Sequence, residues 1–229
     1  MRAFHRRRVR IRPTVRDVHA RAIIWRVPST LAPVVQPGTF AALAQPTLEA
    51  GGLELRPWQP ADSGVLVRAY NDAEIVRWHS RTLTEREAHE RIAERSRAWT
   101  EELGGDWAVL EGDAVAGRVS IRRLDLAAGR AEVGYWVLPE CRGRRLAARS
   151  VAILSKWLFA AGLHRLEIEH AVENRASCAV ALRAGFRCEG TRREGLLHAD
   201  GWHDMHLHAR LADDPEELAA GAAAYQQGS

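Results

Sequence analysis

Arg130-Ala-Glu-Val-Gly-Tyr-Trp-Val-Leu-Pro-Glu-Cys-Arg-Gly-Arg-Arg-Leu-Ala147 is the stretch that decides the fold of this 229-residue chain. Its first part alternates. Ala131, Val133, Tyr135 and Val137 share one face of a strand, and Glu132, Gly134, Trp136 and Leu138 share the other. Pro139 ends that period, and from Leu146 the apolar residues Ile153, Leu154, Trp157 and Leu158 recur at helical spacing until Gly162 stops them. A strand therefore runs into a short basic loop that opens a helix. Free backbone N–H groups at such a helix start, with the helix dipole, make an anion site. Arg142, Arg144 and Arg145 add charge that a pyrophosphate would match. No Gly-Lys-Ser/Thr follows and the dinucleotide glycines are missing, so this is neither a P-loop nor a Rossmann fingerprint. The plain alternative is a solvated arginine patch at a helix start.

Working outward, Asp106–Leu110 and Val115–Arg122 read as strands that turn at Gly112-Asp113, with Arg130–Leu138 the third of the meander. Ahead of them, Thr84 and Glu87 have capping-box spacing and open a helix to about Leu103. Ala88, Ile92, Trp99 and Leu103 lie along one face of it. Asp62 caps a segment to about Tyr70, and a short helix covers Ala73–Trp78. Leu53–Trp58 alternates like a strand, which Pro57 confines to an edge or a strand end. Downstream, His164–His170, Phe186–Leu197 and His203–Leu211 read as strands, and Ser177–Ala184 as a short helix. The fold class is α/β of the α+β type: a mixed, mostly antiparallel sheet of six to seven strands flanked by helices.

Composition bounds the function. Hydrophobic content of 46% and charged content of 27% exclude wholesale disorder. No apolar run reaches the roughly 18 residues of a membrane span, so no membrane partner is expected. Three cysteines without CxxC spacing (Cys141, Cys178, Cys188) point to a reducing cytoplasm rather than a disulfide framework. The net charge of +4 hides an asymmetry, because residues 1–26 carry nine arginines against one acid, Asp17. Such an arm can touch nucleic acid, and only there is nucleic-acid contact expected. As a solvated tail, or as translated sequence upstream of a later start, it needs no partner. Pro28, Pro33, Pro37 and Pro46, then Gly51-Gly52, read as linker. The expected organisation is a basic extension over 1–46, a folded domain over 47–214 and a tail over 215–229.

Four motifs carry a family resemblance. They are Leu55-Arg-Pro57, Ala131–Trp136 running on to Arg142-Gly-Arg-Arg-Leu-Ala147, Asn174-x-x-Ser177 followed by Ala184-Gly-Phe186 and Glu189-Gly190, and Asp200-Gly-Trp-His-Asp204. In that order and spacing, Leu53–Leu211 resembles the Gcn5-related N-acetyltransferase (GNAT) superfamily and, within it, the RimJ/RimL branch that includes ribosomal-protein N-terminal acetyltransferases. The resemblance implies a GNAT fold and acetyl-CoA as co-substrate, with no metal. The pyrophosphate would lie on the backbone of Arg142, Gly143, Arg144, Arg145, Leu146 and Ala147. The pantetheine arm would run along Trp136, Val137 and Leu138 as an added strand does. Asn174 would hold the cofactor or simply cap its helix. The family pattern has glycine where Arg145 stands. A helical φ is open to any residue, so Arg145 is expected to take one and to offer charge instead of close backbone approach.

The implied chemistry is direct acyl transfer from thioester to amine. Glu132 is the candidate base, with Gly134 leaving space on its face; the plain alternative is a salt-bridged strand carboxylate. Ser177 matches the serine this branch places near the CoA sulfur, and Ala181, at the position where many relatives carry tyrosine, cannot act. Ser177 could instead be only a helix-start hydrogen bonder. The N–H near Val137 is the expected oxyanion donor. His198, His203, His206 and His208 are read as ordinary strand histidines, since 206 and 208 share a face and 203 has the other. Cys141 is read as a plain loop cysteine, and Trp78 is placed where a substrate wall could be.

The acceptor follows from amine chemistry. At pH 7.5 about a quarter of α-amino groups are neutral, against about one lysine in a thousand. That favours a protein N-terminus or a small-molecule amine. Two other classes stay open: a detoxifying acetyltransferase acting on small molecules, and a non-catalytic acyl-CoA-binding regulator whose basic tail meets nucleic acid. A monomer or a homodimer is expected.

Overall fold

The structure, a computed structural model, describes residues 31–215. The basic arm at 1–26 and the C-terminal tail beyond 215 lie outside the described residues. Eight strands form one sheet: β1 (Leu48–Ala50), β2 (Leu53–Pro57), β3 (Gly105–Glu111), β4 (Ala114–Asp125), β5 (Arg130–Val137), β6 (Arg165–Ala171), β7 (Arg187–His198) and β8 (Gly201–Leu211). Their spatial order is β1-β2-β3-β4-β5-β6-β8-β7. Every neighbouring pair is antiparallel except β5 with β6. The eighth strand is β1, a three-residue hairpin arm that the expected six to seven did not include. It pairs with β2 across Gly51-Gly52, both at positive φ, so the stretch read as linker is a tight turn.

Five helices cover the two faces: α1 (Ser63–Ala69), α2 (Ala73–His79), α3 (Glu85–Thr100), α4 (Leu146–Ala160) and α5 (Arg175–Arg183). The alternation read in the sequence sorts them. Val133 and its neighbours pack with Leu146, Val151, Leu154 and Leu158 of α4 and with Ala181 of α5. Trp136 and Leu138 pack on the other face with Leu66, Tyr70, Ile75, Ala88 and Ile92 of α1–α3. The capping box at Thr84 and Glu87 forms as its spacing requires: the Glu87 N–H donates to the threonine hydroxyl and the Thr84 N–H donates to the glutamate. Beneath α3, Arg118 and Asp106 form an ion pair at 2.6 Å with both side chains buried. Among the described residues, no helix is long and apolar enough to cross a membrane.

The start of the packed chain differs from the sequence expectation of residue 47. Val35 and Phe40, 4% and 1% exposed, belong to the same core as β2–β6 and α4. The ring of Phe40 stands edge-on to Trp99 and Trp157, each at 5.5 Å. The Glu102 carboxylate accepts from the backbone N–H of Gly38 and Phe40, both at 2.8 Å. The indoles of Trp99 and Trp107 donate to the carbonyls of Leu43 and Pro46. This segment has no periodicity, because it is anchored by two apolar side chains and by partners some sixty residues away.

Candidate active site

β5 and β6 are paired only at Arg130, Ala131 and Glu132, against Arg165, Leu166 and Glu167. Beyond them both strands continue but separate, β5 to Val137 and β6 to Ala171. The Leu138 N–H donates to Ala116 on the β4 side, and the Gly134 carbonyl accepts from Ser120 there. By alternation, Val133, Tyr135 and Val137 turn their peptide groups into the gap. Of the three residues expected along the pantetheine arm, Val137 therefore offers backbone to it. Trp136 also lines the cleft, with most of its ring buried in the α1–α3 cluster, and Leu138 does not line it and has its N–H already paired.

A cleft of about 590 Å³ opens from this gap, lined by Trp78, His79, Tyr135, Val137, Ser177 and the start of α4. Arg142, Gly143, Arg145, Leu146, Ala147 and Asn174 line it too, whereas Arg144 does not. The start of α4 has no side-chain cap and no acid in its first turn. Three of the other helices are capped, α2 by Asp72, α3 by Thr84 and α5 by Asn174, whereas α1 also lacks a side-chain cap because the Asp62 carboxylate expected to cap it is taken up by Arg56. The first N–H groups of α4 therefore point into the cleft without a partner of their own, which suits an anion.

Arg145 sits in the left-handed region, with φ 58° and ψ 21°. The sequence expectation of an ordinary helical φ is corrected here. A side chain in that conformation costs roughly 1–2 kcal/mol, and glycine would relieve it. The neighbouring arginines are engaged by acids. Arg142 donates to Asp72 Oδ1 at 2.9 Å and to Glu74, and Arg144 pairs with Glu111. The site thus fits acetyl-CoA by its helix start, its open strand edge and its volume, and an incoming phosphate would compete with three carboxylates for two of the loop's guanidiniums.

Glu132 lies at the apex, on the last paired rung of β5 and β6. Its side chain is 5% exposed, accepts from Arg122, and forms an ion pair with Arg123 Nη1 at 3.0 Å. It does not line the cleft. The space expected beside it at Gly134 is filled, since a Cβ there would meet Arg122 Cδ at 2.8 Å. The salt-bridged reading of this carboxylate is the one the geometry matches.

Ser177 is drawn to the cleft by Asn174, whose Oδ1 accepts from the Ser177 N–H at 3.0 Å. Asn174 is therefore the N-cap of α5. The Ser177 hydroxyl lies 2.7 Å from the Tyr135 hydroxyl, a partner that nothing in the sequence spacing reveals. Burial pushes the Tyr135 phenol well above its ordinary value, so it stays protonated. A smaller inner cavity continues from the cleft, lined by Trp78, His79, Arg122, Glu169 and His198. Glu169 is the one carboxylate among its lining residues and is paired with Arg192. His79 is held down to about 3 by burial and by the guanidiniums of Arg118 and Arg122, so it is a neutral imidazole. Trp78 has the wall position expected of it, on both cavities.

A mixed sheet parted beside an uncapped helix start is a receptacle for one extended, strand-like ligand with an anionic end. That is the architecture of an acyl-CoA-dependent transferase. The chain belongs to the GNAT acetyltransferase family: the family model for the acetyltransferase (GNAT) domain matches residues 52–187. Enzymes of this family move an acetyl group from acetyl-CoA to an amine. The chain is 29% identical over 106 residues to the ribosomal-protein-serine acetyltransferase of Escherichia coli (strain K12), a match over 46% of this chain and 59% of that relative's length. It is 24% identical to the uncharacterized N-acetyltransferase YoaA of Bacillus subtilis (strain 168), over 72% of this chain and 96% of that one. In fold it is similar to RimL, the ribosomal L7/L12 α-N-protein acetyltransferase solved in complex with coenzyme A. The TM-score is 0.68 at 21% identity, covering 72% of this chain and 98% of that one.

Proposed function

We propose that this chain is an acetyl-CoA-dependent N-acetyltransferase that acts by direct transfer on a primary amine, either a protein N-terminal α-amine or a small-molecule amine. The observation that carries this reading is the parting of β5 from β6 beside the uncapped start of α4. When bound, acetyl-CoA supplies the activated acetyl group. The chain's own residues do the rest. The α4 N–H groups and Arg145 hold the anionic end, and Val137 offers its backbone N–H to the developing oxyanion. Tyr135 keeps the Ser177 hydroxyl aimed into the cleft, where Ser177 hands a proton to the departing thiolate and takes one from the phenol as the phenol takes up the surplus proton of the acetylated amine, so that both hydroxyls end as they began. Glu132 acts through another residue: it fixes Arg122 on the wall of the inner cavity. Glu169 faces the same cavity and receives the acceptor amine. Such an enzyme works in the cytoplasm, where acetyl-CoA and nascent N-termini meet.

Thiol release from acetyl-CoA, measured across a panel of N-terminal peptides and small amines, tests the reading. The expected result is release that depends on an α-amine. Binding of CoA with no amine-stimulated release would replace it with a non-catalytic acyl-CoA-binding regulator.

A further inference from the structure

His170, Cys178, His206 and His208 are brought together from β6, α5 and β8 on the face covered by α5. His170 and His206 are direct cross-strand partners, and His208 lies two residues further along the same face of β8. Their rings crowd one another, with centroids 5.4 Å apart for His170 and His206 and 5.0 Å for His170 and His208. From the helix above, Cys178 Sγ lies 3.9 Å from His208 Nε2. One ligand atom from each of the four residues lies within 4.8 Å of all the others. The sequence reading expected ordinary strand histidines. It correctly set His203 on the opposite face, but it had no way to bring in His170 and Cys178, which lie 36 and 28 residues before His206.

Burial makes the cluster unusual. His170 is 5% exposed and His208 fully buried. The Nε2 of His170 and the Nδ1 of His206 are buried with no hydrogen-bond partner. Buried ring nitrogens are nearly always satisfied, and three orphans in one cluster of four candidate ligands, the Nδ1 of His208 being the third, need an explanation. His170 also has its other nitrogen, Nδ1, 2.8 Å from the Ala171 carbonyl. That bond fixes the proton on Nδ1 and turns the Nε2 lone pair inward, the arrangement seen when a metal-bound imidazole donates to a carbonyl. We propose that His170, Cys178, His206 and His208 bind one zinc ion. One thiolate with three imidazoles is a closed tetrahedral set that suits zinc and leaves no position open for catalysis. The ion would tie α5 to β6 and β8, one residue from Ser177, and takes no part in acyl transfer. Binding releases the Cys178 proton to solvent.

Metal-free full-length protein, prepared by dialysis against a chelator, is titrated with Co²⁺ by absorption and with Zn²⁺ by calorimetry. One Co²⁺ per chain should give the intense visible bands of tetrahedral cobalt and a near-ultraviolet thiolate band, and Zn²⁺ should displace it and raise the Tm. Cys178→Ser should abolish the thiolate band and weaken Zn²⁺ binding by more than about 100-fold, beyond what loss of an outer-shell partner costs. Its metal-free Tm should match that of the metal-free parent; if it does not fold, His206→Gln is measured instead. His203→Asn, in the separate cluster of His198, Asp200 and His203, should leave binding intact. The proposal is overturned by an absence of stoichiometric Co²⁺ binding, by a thiolate band that survives Cys178→Ser, or by binding that disappears with His203→Asn.

Discussion

The hydroxyl of Tyr135 lies 2.7 Å from the hydroxyl of Ser177 and 3.1 Å from its carbonyl oxygen, and so a strand on one side of the cleft and a helix on the other meet through one phenol and one serine. The phenol is kept protonated by burial and so has a proton to donate at neutral pH. Tyr135→Phe and Ser177→Ala should each lower kcat by about 10–100-fold while leaving the acetyl-CoA KM within about twofold. The double variant should fall little further, because the two act as one unit. Independent, multiplying losses in steady-state kinetics would show that they do not work as a relay.

Arg145→Gly separates two effects at one residue. Removing the left-handed side chain should stabilise the protein by about 1 kcal/mol, which for a chain of this size raises Tm by roughly 2–4 °C. Removing the charge should raise the acetyl-CoA KM. A lower Tm in a thermal melt would show that the side chain makes contacts that outweigh its backbone strain.

Glu132→Gln distinguishes a base from a strut. As a strut, the variant leaves the guanidiniums of Arg122 and Arg123 without their carboxylate and loses about 1–3 kcal/mol of stability, moderated because both arginines reach solvent. The pH dependence of kcat should keep its shape. If the acid limb of that profile disappears in the variant, Glu132 carries the proton after all.

A shortened protein that begins at Thr47 should be destabilised by at least about 3 kcal/mol, because Val35 and Phe40 leave the core. One that begins at Ala32 keeps both. Equal denaturant midpoints for the two would mean that the anchor segment contributes nothing.

His79 makes stability depend on pH. Its folded value, about 3, lies below that of an ordinary histidine, so below about pH 6.5 the unfolded chain binds a proton that the folded chain refuses. Stability contributed by this group is present at neutral pH and is lost as pH falls through that window. His79→Gln should make the acid limb of a stability curve between pH 6.5 and 4 shallower by one proton. An unchanged slope would show that the imidazole titrates normally.

The sequence made the local features legible. The meander from Gly105 to Val137, the capping box at Thr84 and Glu87, and the strand–loop–helix at Arg130–Ala147 depend on neighbours within a turn or a strand, and all of them stand. What it left unread depends on partners far along the chain. Glu132 becomes a salt-bridged strut because a bulge in β4 brings Arg122 and Arg123 to it. Tyr135 gains its role from a serine 42 residues later. The Val35–Phe40 anchor has no period because a single aromatic in a pocket needs none. At Arg145 the family pattern of glycine did carry the signal, as a demand for positive φ, and the residue present conceals it.

The three rungs that join β5 to β6 also divide the protein mechanically. The sheet consists of a five-strand block and a three-strand block that share a short hydrogen-bonded seam. In the free protein, these blocks are natural units of partial opening. A guest lying between Val133–Val137 and Ile168–Ala171 would restore the missing rungs and fuse the blocks. Ligand binding should then do more than add stability by mass action. Amide exchange in the two blocks, separable without ligand, should become a single cooperative event, so that the substrate itself completes the fold.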